Sequence, residues 1–163
     1  MSRALGAVLV LAIAMPVLAA PAAPGFRARL LDQPRVIDSR ELIGKKPLVL
    51  RFQASYCRKC AGEAAAFARV VDRYRARDVE FLAVHVQDTI ADTRRFVQTH
   101  RIAYPVALDP KLTIARPFGF KGTPYTVVID RRGEIVARIH GESAIARLPR
   151  ILDGVLAAKR GRR

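Results

Sequence analysis

Cys57 and Cys60 are the only cysteines in this 163-residue chain, and they lie three residues apart in SYCRKCAGEAAAF, residues 55–67. Two cations, Arg58 and Lys59, stand between them. A structural disulfide stabilises mainly by closing a long loop, and a bridge across two intervening residues restrains almost nothing. The pair is therefore suited to reactivity. In thiol–disulfide exchange the thiolate is the nucleophile, and nearby positive charge raises its fraction. Arg58 and Lys59 tune Cys57 in that direction. Cys60, about one helical turn further on, is placed to displace the mixed disulfide that Cys57 forms. The same cations stabilise the reduced pair and make it a weaker reductant. This chemistry needs no cofactor beyond the Cys57–Cys60 disulfide itself.

Glu63 follows Cys60 by three residues and shares its helical face. It either shuttles the Cys60 proton or is an ordinary solvated helix residue; spacing alone leaves both open. Cys-x-x-Cys is also half of a zinc site, with His85, His100 and His140 as the remaining candidates. The paired second half of a zinc motif is missing, and lone histidines are more often packed or surface residues. The expectation is no metal.

Several elements must position these thiols. LVLRF, residues 48–52, is an apolar run with turn signals before it and reads as a buried strand. It delivers the chain to Ser55-Tyr56-Cys57. CRKCAGEAAAFARVVDRYRARD then reads as a helix whose Ala64, Phe67, Ala68, Val71 and Tyr74 share one face. Cys57 falls where strand gives way to helix. There the unpartnered amides and the positive end of the macrodipole favour an anion.

Beyond it, VEFLAVHVQD (79–88) reads as a second buried strand. DTIADTRRFVQTHRI reads as an amphipathic helix capped by Asp88 or Thr89, with Ile90, Phe96 and Val97 inward. YPVALDP is a short extended piece, and KLTIARPFGFKG a helical turn ended by Pro117 and Gly119. TPYTVVID and IVARIH are strands joined by a turn centred on Gly133. The last helix contains Pro149 and is either kinked or in two pieces. RVID, with a capped turn at SRELIG, supplies a short opening strand. Strands alternating with helices indicate an α/β domain, with a central mixed β-sheet flanked by helices.

Residues 1–22 read as an export signal: Arg3, an apolar run from Leu5 to Met15, then small residues, with cleavage after Ala19 or Ala22. An uncleaved anchor is the alternative, since 23 uncharged residues separate Arg3 from Arg27. Either form places the folded part outside the cytoplasm, in a periplasm-type compartment where two cysteines ordinarily pair. Residues 23–35 read as a lead-in, 36–157 as the domain and 158–163 as a basic tail. Lys plus Arg outnumber Asp plus Glu by 29 to 14, for a net charge of +15. The charge is spread along the chain instead of clustered in a stripe. That argues against nucleic acid and leaves contact with an anionic membrane surface open.

The chain resembles the thioredoxin superfamily, specifically the exported TlpA/ResA-like thiol–disulfide oxidoreductases. The resemblance runs from about Val36 to Leu156. It rests on LVLRFQASYCRKC, CAGE, GFKGTPYTVVIDRRGEIV and HGE. It implies a thioredoxin-like fold and a cis Thr123–Pro124 bond beside the cysteines. It also implies a substrate groove shaped by Tyr56, Thr123 and Pro124, and Glu63 as the acid near the resolving Cys60. Protein thiols and disulfides would be the substrates, apocytochrome c haem-site thiols typically, with a membrane electron donor or acceptor as partner.

Three departures stand out. Tyr56 replaces the usual Trp, Arg-Lys replaces the common x-Pro dipeptide, and Arg51 stands where relatives have a buried Asp or Asn. A buried Arg needs a partner, and Glu63 is the first candidate. That pairing would make both residues structural.

A periplasmic reductase is the leading function, with the oxidase or isomerase direction as its alternative. A copper chaperone on the same fold uses a wider Cys spacing and a His near the proline strand, and TPYTVVID has none. A peroxidase needs Thr or Ser three residues before its Cys, where this chain has Ala54.

Overall fold

Every residue of Leu48–Gln53 is buried, as its apolar sequence requires, and the sheet is built outward from this strand. The computed structural model describes residues 20–158. Most of the segment read as an export signal, and residues 159–163 of the basic tail, lie outside the described residues. Along the chain come β1 (Arg27–Leu30), β2 (Val36–Asp38), β3 (Leu48–Gln53), α1 (Arg58–Arg75), β4 (Glu80–Val86), α2 (Ile90–Thr99), β5 (Val106–Asp109), β6 (Tyr125–Ile129), β7 (Ile135–His140) and α3 (Ala144–Ala157). The strands form one sheet in the order β2-β1-β5-β4-β3-β6-β7. β3–β4 and β4–β5 are parallel, with α1 and α2 as the crossovers. The other pairings are antiparallel. This is the expected mixed sheet flanked by helices.

The core divides by the alternation of strand residues. Leu48, Leu50 and Phe52 join Leu82, Val84, Phe118, Tyr125 and Val127 in one cluster. Val49 joins Phe67, Val70, Val71 and Tyr74 of α1, and Leu148 and Leu152 of α3, in the other. The inner face of α1 is thus the one its spacing predicts. Pro149 does not break the last helix: α3 is a single element, and the Tyr74 hydroxyl donates to the Pro149 carbonyl at 3.0 Å.

Three readings are corrected. Residues 23–35 are not merely a lead-in, because they hold β1, which pairs with both β2 and β5. Its RARL sequence turns Ala28 and Leu30 inward and Arg27 and Arg29 outward. The two arginines mask an ordinary period-two strand. The folded part also begins before residue 23: the Ile135 N–H donates to the Pro21 carbonyl at 2.8 Å, and the Ala23 N–H donates to the Gly133 carbonyl at 2.7 Å. Ile90 is exposed at 41 %; of the three residues read as inward on α2, Phe96 is buried and Val97 half-buried, and Thr93 takes the place of Ile90. Ile90 sits in the first turn, where Thr89 caps the helix by accepting from the Asp92 N–H.

Candidate active site

Helix α1 opens on the dithiol. Cys57 is its N-cap, in extended conformation, and its sulfur accepts the Cys60 N–H at 3.1 Å. The two sulfurs are joined as a disulfide, with Cα atoms 5.2 Å apart. Both cysteines are buried, Cys57 at 8 % exposure and Cys60 at 1 %. The outer sulfur thus lies at the surface end and receives an amide hydrogen bond. This arrangement stabilises negative charge on Cys57 once the bridge opens. Arg58 and Lys59 are exposed. Lys59 Nζ lies 3.6 Å from Glu142 Oε2, on the turn after β7.

Beneath the helix start, Arg51 of β3 is fully buried. One guanidinium nitrogen donates to the Glu63 carboxylate, and the other donates to Thr126 Oγ1 at 3.0 Å. The guanidinium carbon lies 5.0 Å from the centre of the Phe67 ring. The expected Arg51–Glu63 partnership therefore exists. It joins the central strand to the second turn of α1, and each charge supplies what the other needs to be buried.

A second buried acid went unassigned in the sequence except as a possible helix cap. Asp88 lies two residues past β4, with its side chain only 2 % exposed. Its Oδ2 accepts the Ser55 N–H at 2.7 Å, and its Oδ1 accepts the Ser55 hydroxyl at 2.7 Å. Oδ2 also lies 2.7 Å from His85 Nδ1. His85 Nε2 in turn lies 2.9 Å from the Gln53 side-chain nitrogen. Donor and acceptor complementarity assigns one arrangement: the Gln53 amide donates to Nε2, and Nδ1–H donates to Asp88. Burial raises the Asp88 carboxyl, but the hydrogen bonds from His85 and Ser55 outweigh it, so the group lies below its ordinary range. The only sequence trace of this chain is a His three residues before an Asp at the end of a buried strand. Its partner Ser55 is remote in sequence.

Tyr56 is the most exposed large apolar residue of the site, at 61 %. With Ser55 it forms one wall of a groove of about 250 Å³ whose other wall is Asp92, Arg95, Phe96, Thr99 and His100 of the α2 region. The Thr123–Pro124 bond is cis. It immediately precedes Tyr125, which pairs with Phe52 near the end of β3. The Pro124 carbonyl accepts the Gly141 N–H at 2.9 Å. The proline loop, the turn carrying Glu142 and the cysteine loop are thereby tied to one end of the sheet. The three histidines are dispersed. His85 is in the Asp88 chain, His100 packs on Phe96 with ring centres 4.4 Å apart, and His140 stacks on Tyr125 at 4.3 Å.

The model of the AhpC/TSA family matches residues 20–138, most of the chain. The chain belongs to the AhpC/TSA family. Relatives within reach of this AhpC/TSA chain include the thiol-disulfide oxidoreductase ResA of Halalkalibacterium halodurans. It is 31% identical over 104 residues, which cover 64% of this chain and 58% of that protein's own length. ResA of Bacillus thuringiensis subsp. konkukian is 26% identical over 133 residues, covering 82% of this chain and 76% of that one. Among solved structures, a thiol:disulfide interchange protein of the thioredoxin family from Chlorobium tepidum superposes with a TM-score of 0.75 at 25% identity. It covers 86% of this chain and 99% of that one. MTB dsbF, solved in mixed oxidized and reduced forms, gives 0.73 at 25% identity, covering 80% and 94%. The thioredoxin-like fold implied by Cys57-x-x-Cys60 and GTPYTVVIDRRG is therefore the fold of this AhpC/TSA member.

Proposed function

We propose that this chain is an exported thiol–disulfide oxidoreductase of the ResA type, working in the periplasm as a reductase of disulfides in exported proteins. The observation that carries this reading is the placement of Cys57. It caps α1 with its sulfur under the Cys60 amide, already bridged to Cys60, at the same sheet end as the cis-proline loop. In the reduced protein the Cys57 thiolate attacks one sulfur of a partner's disulfide. A mixed disulfide forms and the partner's other sulfur leaves as a thiolate, which takes a proton from solvent. Cys60 then loses its proton and attacks Cys57 Sγ, releasing the partner as a dithiol and restoring the Cys57–Cys60 bridge. Two electrons pass from protein to partner, and no other cofactor takes part. A thiol donor on the membrane side returns the bridge to the dithiol. Tyr56, Thr123 and Pro124 line the partner's path to Cys57, and apocytochrome c haem-site thiols are the substrate class that the resemblance to exported TlpA/ResA-like oxidoreductases implies.

Reduction of insulin disulfides by the dithiol form tests the chemistry. C57S abolishes it, and C60S accumulates Cys57 mixed disulfides whose partners identify the substrate. An unreactive dithiol overturns the reading. The oxidase direction keeps a specific support in exposed Arg58 and Lys59, which stabilise the reduced form. The equilibrium with glutathione separates the two directions, since a strongly oxidising pair cannot serve as a reductase. Export is tested by the amino-terminal sequence of the mature protein. Pro21 and Ala23 are bonded to the β6–β7 hairpin, which favours cleavage after Ala19 over cleavage after Ala22.

A further inference from the structure

Two buried carboxylates hold the chain around the dithiol, Glu63 within α1 and Asp88 through Ser55 just before it, and only Glu63 has an Arg or Lys against it. Glu63 has the Arg51 guanidinium against it. Asp88 has three donors: the Ser55 N–H, the Ser55 hydroxyl and His85 Nδ1. No Lys or Arg pairs with it among the described residues. Neutral hydrogen bonds satisfy a carboxylate's lone pairs, but they do not cancel its charge. The charge therefore persists in a site where surrounding protein screens it poorly. Ser55 is separated from Cys57 by Tyr56 alone. The neighbouring Tyr56 phenol is raised first by its own burial and then by the charge of Asp88.

The other groups around this spot are accounted for. Gln53 of β3 and His85 of β4 complete the chain behind Asp88. From α2, Asp92 and Arg95 face the groove as an ion pair at 3.3 Å, with His100 beside them. From α1 come Arg58 and Lys59, the latter near Glu142.

We propose that Asp88, and not Glu63, is the acid that tunes this active site: its carboxylate fixes the approach of Ser55 and Tyr56 to the nucleophile, and its charge opposes Arg58 and Lys59 at the Cys57 sulfur. Asp88 touches neither sulfur, so it is a positioning residue. It makes the reduced pair less stable than Arg58 and Lys59 alone would, and so restores reducing power to a dithiol flanked by cations. The inference rests on the thiol–disulfide reading of the site and deepens it.

D88N is the test, because asparagine keeps an oxygen for the Ser55 N–H while removing the charge. In a C60S background, which isolates Cys57 from the coupled dithiol, the midpoint of Cys57 alkylation against pH falls by about half a unit in D88N. With both cysteines present, the D88N equilibrium with glutathione moves about threefold toward the dithiol. A folded D88N with both values unchanged overturns the proposal and leaves Asp88 a structural clamp. A measurement on the C60S protein with Asp88 in place guards against a D88N that does not fold. Coupling between two titrating groups is reciprocal, so the Asp88 carboxyl carbon resonance must follow the Cys57 titration, and a resonance flat through it overturns the proposal equally. Reduction of insulin by the unaltered protein is measured alongside. Its absence removes the proposed function, whereas its presence with an unresponsive D88N removes only the role of Asp88.

Discussion

Arg51–Glu63 and Asp88–Ser55–His85 both bury a carboxylate near the start of α1, yet they solve that problem in opposite ways. The first sets a full cation against the acid, between a central strand and a helix. Its net field outside the pair is small, and its worth is mechanical: it holds α1, and with it Cys60, against β3. The second surrounds the acid with neutral donors, so the carboxylate is stable in place while its charge still acts on its surroundings. A buried acid can thus anchor an active site or bias it, according to whether its partner carries charge.

The largest expected effect separates the two regions by stability. R51M strands Glu63 in a site that exposes only 13 % of its side chain. The expected cost is about 3 kcal/mol or more in denaturant unfolding, because an unpaired buried charge is left behind. R51M/E63Q removes both charges and regains most of that loss. A single variant no worse than the double would show that no buried pair is broken.

D88N is expected to cost less, about 1–2 kcal/mol, since it weakens hydrogen bonds without stranding a charge. It should also change the pH dependence. The Asp88 carboxyl lies below its ordinary value of 3.8 in the folded protein. Its contribution is therefore fully present above that ordinary value and is lost as pH falls through the lower folded one. Unfolding followed in steps below about pH 4 should show a shallower loss of stability in D88N than in the unaltered protein. Equal slopes would mean that Asp88 is not held as an anion by its donors.

Removing residues through Ala22 deletes the Pro21 carbonyl that accepts the Ile135 N–H. About 1 kcal/mol is expected to be lost, visible as a lower Tm than that of a chain beginning at Ala20. Equal melting temperatures would show that the Pro21 bond adds nothing. The smallest effect belongs to E142Q. Lys59 and Glu142 are both well exposed and 3.6 Å apart, so the melting temperature should not move. A measurable drop would place that pair in the same class as Arg51–Glu63.

Much of the fold was legible because its signals are local. The apolar run 48–52, the three- and four-residue spacing from Ala64 to Tyr74, and Gly133 between two β-rich segments each announce their element within a dozen residues. β1 was not legible: two outward arginines in four residues dilute its pattern, and only pairing with β2 and β5 makes it a strand. Ile90 misled because apolarity on an amphipathic helix says little about the first turn. In the site, the cysteines, the cis proline and the Arg51–Glu63 pair followed from motif, resemblance and the rule that a buried Arg needs an acid. Asp88 did not. Its sequence neighbours offered helix capping, a role Thr89 takes, while the Ser55 that ties it to the cysteine loop is 33 positions away.

By itself the sequence determined that two thiols would sit at a strand-to-helix junction with two cations between them, because residue types and short-range spacing dictate local backbone and local charge. Only the tertiary structure decided which acids meet them and with what counter-charge. Burial and pairing are properties of segments brought together from distant parts of the chain, and a carboxylate's influence depends on whether the group that meets it carries a charge.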